Sequence, residues 1–392
     1  MTRTERLHIA TLTASKTADA LLDAKIVIAW LLTTLGAPLG LISLAVPLRE
    51  ALSMLPQIAV AAKAESQTQR KRIWALGATG QAVGALVIAG SAAFAGEALA
   101  PIGILLGVAL IGLARSACSA TQKDLLARTV GADRRGTITG RAASLGGVGA
   151  LLVAGALILT PEAHRLPLVL AGIALAALLF GTAAARFLAL DEPDAEAKPN
   201  SRAAFLSFST LCAEHRLQRL VAIRACLLPA TLAPPFLIAA ASTDIPFGQL
   251  GLLMAISAVA AIASGSFWGG WADKNPTRSL ATAGAATALI LVASATCALF
   301  GIDGTLWLPP LLFAQLVAYQ GVRISRKTLL MAAAPKNEKP SWTAESNTLV
   351  GLLLLAFGLV SAGLSQLGAP TVLLVFALSC GLGGALAAQF KA

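Results

Sequence analysis

Lys16, Asp19 and Asp23 stand at spacings of three and four inside an otherwise apolar stretch, residues 12–34, so a continuous helix would carry all three on one face. Lys25 lies about 200° round from Asp23 at helical pitch and points elsewhere, while Asp23 falls roughly 16 Å from the nearer end of the stretch. The next apolar stretch, residues 38–62, holds Arg49 and Glu50 side by side at a similar depth. Neighbours diverge by about 100° round a helix, so Arg49 and Glu50 each reach a different partner. The simplest pairing gives Arg49 to Asp23, and Glu50 to Lys25 or to a polar group on another segment. An ionisable group at membrane depth costs roughly 2.5–3.5 kcal/mol and needs a partner or a wet cavity. Two chemistries fit. One is a permanent ion-pair network that fixes packing; the other is a network switched when Asp19, Asp23 or Glu50 takes up a proton.

The second half offers polar groups of another kind. Arg224 is followed by Pro229, Pro234 and Pro235, which can open a helix backbone beside a cavity. It suits an anionic solute group, a gate contact or a side chain that snorkels to the membrane surface. Gln315, Tyr319 and Arg323 share a helical face, with Gln320 beside them, and Tyr319 is the only tyrosine in the chain. That stripe is either a hydrogen-bonding wall or glue between helices.

The elements that must position these groups follow from composition. Of 392 residues, 57% are hydrophobic and 12% charged, with a mean hydropathy of +0.77, which places the chain in a membrane. Runs of about 20 apolar residues occur near 12–34, 38–62, 73–95, 99–118, 138–160, 167–188, 218–241, 247–271, 279–300, 305–325, 343–365 and 369–389. An all-α membrane protein of twelve transmembrane helices in two pseudo-symmetric six-helix bundles is the expected fold. Lys and Arg, Arg115 among them, gather in the even-numbered connections, and the odd ones offer only Arg165. The positive-inside rule therefore makes both termini and the even connections cytoplasmic. The Pro-rich, acidic stretch after Asp191 reads as a solvated linker. The expected domains are an N-terminal bundle over 1–190, a cytoplasmic linker over 191–217 and a C-terminal bundle over 218–392, with an amphipathic surface helix from Phe205 to Arg219.

An internal repeat supports two related halves. Without a gap, Lys123, Leu125, Leu126, Thr139, Leu145 and Gly147 fall on Lys327, Leu329, Leu330, Thr343, Leu349 and Gly351, and Ser144 meets Thr348. In that register Arg141 falls on Glu345, so the two can face each other as a cytoplasmic gate, or each can pair with loop charges.

Gly269-Gly-Trp-Ala-Asp273-Lys274-Asn-Pro276-Thr-Arg278 is similar to the G-x-x-x-D-R/K-x-G-x-R/K-R/K loop of the major facilitator superfamily of secondary transporters, with Pro276 in place of the second glycine. The first half keeps a degraded copy: Ala61 for glycine, Glu65 for aspartate and Thr68 for the second glycine, with Arg70 and Lys71 in register. The resemblance implies that Asp273 and Glu65 steady one gate state, and that segments one, four, seven and ten line a central cavity. It says little about the substrate.

Other classes recede. The net charge of +11 is dispersed in short patches between apolar runs, which is not a nucleic-acid-binding face. Five scattered cysteines form no C-x-x-C, so neither a disulfide framework nor a metal site is expected. Gly146-Gly-Val-Gly149 and Gly381-Leu-Gly-Gly384 read as close helix contacts rather than nucleotide loops, and His8, His164 and His215 do not form a catalytic group. Neither a catalytic residue nor a cofactor is expected. The expected activity is alternating-access transport of a small-molecule substrate, driven by protons, among the lipids of a bacterial inner membrane. An exporter of amphipathic drugs or lipids and a non-transporting scaffold or sensor are the alternatives.

Overall fold

The computed structural model describes residues 1–161, 164–194, 208–241, 250–335 and 338–390. Among these every regular element is helical. The chain is an integral membrane protein. Among the described residues, nine helical segments are long and apolar enough to cross a bilayer: Lys71–Phe94, Ala100–Thr129, Asp133–Leu159, Arg165–Leu188, His215–Ala241, Leu250–Lys274, Pro276–Leu299, Trp342–Leu367 and Ala369–Ala388.

The chain divides into two compact units. Unit 1 comprises Met1–Val27 and Leu48–Phe205; unit 2 comprises Ile28–Pro47 and Leu206–Ala392. In chain order the first helices are α1 (Arg3–Leu21), α2 (Val27–Thr34), α3 (Leu39–Met54) and α4 (Gln57–Glu65), followed by α5 (Lys71–Phe94), α6 (Ala100–Thr129), α7 (Ala132–Leu159) and α8 (Arg165–Leu188). Then come α9 (Ser209–Ala213), α10 (His215–Cys226), α11 (Pro229–Ala241), α12 (Leu250–Lys274), α13 (Pro276–Leu299), α14 (Gly304–Ala333), α15 (Lys339–Leu364) and α16 (Ala369–Ala388).

Local chemistry sets several helix ends. Thr2 accepts from the Glu5 amide while Glu5 reaches back to the Thr2 amide, a reciprocal cap that starts α1. Asn275 accepts from the Arg278 amide ahead of Pro276 at the start of α13, and Asp303 accepts from the Thr305 amide at the start of α14. Gly301 and Gly368 carry φ of 64° and 93° in the turns before α14 and α16, a conformation that favours glycine.

Three expected spanning segments are broken rather than continuous. The first separates into α1 and α2 across residues 22–26, the second into α3 and α4 at Leu55–Pro56, and the seventh into α10 and α11 just before Pro229. The prolines account for the last two, because a ring nitrogen cannot donate within a helix. The amphipathic stretch expected over 205–219 is also divided: α9 stops at Ala213, Glu214 is extended, and α10 begins at His215. Residues 205–207, like linker residues 195–204, lie outside the described residues.

Packing within each unit depends on small residues. A Cβ on Gly84 would stand 2.7 Å from Ile111 and 2.9 Å from the Gly107 carbonyl, so α5 and α6 meet backbone to backbone in unit 1. In unit 2 a Cβ on Gly284 would meet the backbone of Gly384 at 3.0 Å, bringing α13 onto α16. Large apolar side chains, among them Leu76, Leu86, Leu152, Leu289 and Leu378, are more than half exposed. Water would penalise such a surface, whereas lipid is its ordinary solvent.

Candidate functional site

In unit 1 the charges converge on Asp19, two residues before the end of α1. Asp19 Oδ1 accepts from Arg49 Nη2 at 3.0 Å and also from Arg115 Nη1. Arg49, only 8% exposed, donates its other terminal nitrogen to the Leu22 carbonyl, one of those left open by the break after α1. Lys25 Nζ approaches Glu50 at 3.9 Å. Arg49 and Glu50 thus turn to different partners, as consecutive helical residues must.

The partner of Arg49 is Asp19, not Asp23. Asp23 has left the helical face: its Oδ1 accepts from the amides of Lys25 and Ile26 at 2.7 and 3.2 Å, capping the start of α2. Arg115, counted among the loop cations in the sequence, belongs to the body of α6. Gly112, three residues earlier, allows this placement, because a Cβ there would stand 2.8 Å from the Arg49 carbonyl. A lone arginine near the end of an apolar run, one turn after a glycine, was the available signal.

A second charged group of unit 1 surrounds the start of α5. Arg70 pairs with Asp124, which also accepts from Arg128 at 2.6 Å. Glu192 accepts from the Arg70 and Lys71 amides at 3.0 and 2.9 Å, placing a carboxylate on the positive end of α5. Sequence reasoning missed Asp124 and Glu192. The side chain of Glu65 lies outside the described residues. Arg134 binds Glu5 at 3.1 Å, and its hydrogen bond, with that of the Thr2 amide, holds the Glu5 carboxyl below its ordinary 4.5. Arg141 donates to Met1 Sδ at 3.2 Å.

Among the described residues, unit 2 builds its site without a carboxylate on the central cation. Arg224, in the last turn of α10, is 6% exposed and donates to Ser346 Oγ and, at 3.0 Å, to Asn347 Oδ1, both on α15. Its Nε is buried with no hydrogen-bond partner, and among the described residues it makes no ion pair. Ser346 was missed because serine in an apolar run has no charge to draw notice. Glu345, the residue before it, accepts from the Thr210 and Leu211 amides at 3.2 and 2.7 Å and so fastens α9 to α15.

The stripe expected on α14 is uneven. Gln315 is fully buried and donates to the Ala230 carbonyl at 3.1 Å, while its Oε1 stays unpaired. Tyr319 packs in an apolar cluster with Trp268, Leu227 and Val322; Gln320 is half-buried, and Arg323 is exposed. In the α12–α13 turn, Asp273, Lys274 and Arg278 are exposed, and Asp273 makes no ion pair among the described residues. A Cβ on Gly269 would meet nothing, so no close approach requires that glycine. Among the described residues, no three His, Cys, Asp or Glu side chains gather as a metal site.

No protein-family model matches the chain, and no curated protein matches it by sequence. Solved structures do. A mutant of the nucleoside transporter NupG superposes with a TM-score of 0.72 at 15% identity, over 98% of this chain and 100% of the other. The D-xylose-proton symporter gives 0.71 at 12% identity over 98% and 97%, and a POT family transporter in complex with a thioalcohol-conjugated peptide gives 0.72 at 13% over 98% and 95%. The chain shares the fold of these transporters. This fold serves a nucleoside transporter, a xylose-proton symporter and a POT family transporter in complex with a peptide, so the fold alone does not name a ligand.

Proposed function

We propose that the protein is a proton-coupled secondary transporter that moves a small organic solute by alternating access, and not an enzyme. The observation that carries this reading is the ionic cluster at the α1 break, where Asp19, Arg49, Arg115, Lys25 and Glu50 meet inside a fold otherwise built for lipid. In this reading the chain makes twelve spans in two six-helix bundles, 1–190 and 218–392, joined by a linker over 191–217. It sits in a bacterial inner membrane with both termini cytoplasmic. Glu65, Asp273, Lys274 and Arg278 steady gate states, and Arg141 and Glu345 lie at the cytoplasmic gate.

The geometry supports a division of roles within the cluster. Asp23 is committed to capping α2, and Asp19 is shared between two guanidinium groups, so neutralising either dismantles local structure. Glu50 meets Lys25 across 3.9 Å, and a proton on its carboxylate would remove the charge that holds the pair. Glu50 is therefore the coupling carboxylate and Lys25 its counter-ion, with Asp19 and Arg49 as positioning residues. Arg224, Gln315, Tyr319 and Gln320 contribute solute contacts from the second bundle.

The test begins with thermal unfolding of purified protein against organic acids, sugars, amino acids, nucleosides and amphipathic cations, since a ligand selective for the native state raises the midpoint with concentration. The stabilising compound is then followed into proteoliposomes. Wild type should accumulate it against its gradient when an inward proton gradient is imposed. Glu50→Gln should lose that accumulation and keep counterflow exchange. Accumulation by Glu50→Gln equal to wild type would remove the proton role from Glu50, and absence of any stabilising class would argue against transport of these solutes.

A further inference from the structure

Unit 1 contains a groove of about 430 Å³ between α1, α7 and α8 whose lining includes Arg6, Ile9, Thr13, Leu145, Leu179 and Arg186. The order of these residues along the helices is informative. Arg6, Ile9 and Thr13 descend one face of α1 at spacings of three and four, so Thr13 lies about 10 Å below Arg6. α8 runs the other way, with Arg186 in its last turn and Leu179 about 10 Å from it along the axis. Both arginines therefore stand at the charged rim and the apolar residues lie deeper.

Three features identify the occupant. Arg6 and Arg186 are exposed and make no ion pair among the described residues, and no acidic residue lines the groove, so its mouth carries two uncompensated positive charges. The Thr13 hydroxyl is buried without a hydrogen-bond partner among the described residues, leaving a donor at intermediate depth. Leu145, at the groove wall, begins an exposed apolar line on α7 that continues through Val148, Leu152 and Leu159. Two cations at the rim, a donor about 10 Å below and an apolar track beyond match the order of phosphate, glycerol ester and acyl chain in a phospholipid. We infer that this groove binds an anionic phospholipid of the arginine-rich leaflet, with its phosphate between Arg6 and Arg186 and an ester oxygen on Thr13. This site is separate from the ionic cluster and does not depend on the transport reading.

The test titrates dioctanoyl phosphatidylglycerol into the full-length purified protein, with dioctanoyl phosphatidylcholine and sn-glycerol phosphate as parallel probes, following the unfolding midpoint and lipid retention by native mass spectrometry. Phosphatidylglycerol should bind more tightly than phosphatidylcholine. Each arginine near a lipid surface is worth about fivefold, so Arg6→Gln with Arg186→Gln should weaken the anionic lipid about thirtyfold and Arg186→Gln alone about fivefold, while Arg6→Lys with Arg186→Lys retains most of the affinity. The lipid-free midpoint of each variant serves as the folding control, and the single variant carries the test if the double variant is unstable. Equal binding of the two lipids, or unchanged affinity in the glutamine variants, would overturn the assignment. Binding of sn-glycerol phosphate as tight as that of the lipid would also overturn it, by showing a site for a soluble phosphate.

Discussion

Arg49 in unit 1 and Arg224 in unit 2 are both buried, but they are held by opposite kinds of partner. Arg49 shares a carboxylate with Arg115 and also ties down a free helix carbonyl. Arg224 has a hydroxyl and an amide, and one of its N–H groups has no acceptor. The ungapped register of the internal repeat places Arg115 on Tyr319 and Ala142 on Ser346, so the two halves share a frame but not a charge pattern. One site has an internal counter-ion; among the described residues the other lacks one. Removing a charge should therefore cost much more in unit 1 than in unit 2.

The largest effect is expected at Asp19. Asp19→Asn leaves Arg49 and Arg115 facing each other without a carboxylate and should lower unfolding stability by about 3 kcal/mol. Chemical denaturation of the purified protein measures this, and Asp19→Asn with Arg115→Gln should recover part of the loss. A neutral Asp19→Asn would show that the cluster does not hold unit 1. Arg224→Gln should lose less than about 1 kcal/mol, because removing an uncompensated buried charge offsets the lost hydrogen bonds. A loss as large as that at Asp19 would erase the contrast and point to a counter-ion for Arg224.

The smallest effect belongs to the pair Glu5 and Arg134. The Glu5 carboxyl titrates below 4.5 in the folded protein, so its contribution is fully present above 4.5 and disappears as pH falls through the lower folded value. The midpoint difference between wild type and Glu5→Gln should be constant from pH 7 to about pH 5 and vanish in stronger acid. A difference that persists at the acid end would place the cause in the helix cap rather than in the charge.

Much of this was legible in the sequence because hydropathy and charge position are direct readings of what lipid tolerates. The membrane class, the helical character and the separation of Arg49 from Glu50 follow from length, period and charge alone. The exchange of Asp23 for Asp19 was not legible. A helical projection assumes an unbroken helix, and Leu22-Asp-Ala-Lys-Ile26 contains neither proline nor glycine to mark a break. Long-range hydrogen bonds support it there, from Arg49 to the Leu22 carbonyl, together with the local ones from the Lys25 and Ile26 amides to Asp23. Pro56 and Pro229 announce the other two breaks locally. Arg224 was visible as a charge, but its partners were not, because Ser346 and Asn347 resemble ordinary helix contents until the fold brings them together.

The interruption after α1 also makes one joint both electrical and mechanical. Arg49 grips Asp19 and the Leu22 carbonyl with a single guanidinium group, so a change of charge at Asp19 alters how firmly that carbonyl is held. A loosened carbonyl is free to seek an amide one turn onward, and α1 can then lengthen toward α2. Hydrogen exchange at the Lys25 and Ile26 amides, compared between wild type and Asp19→Asn, would report the state of this joint as a change in the length of a helix.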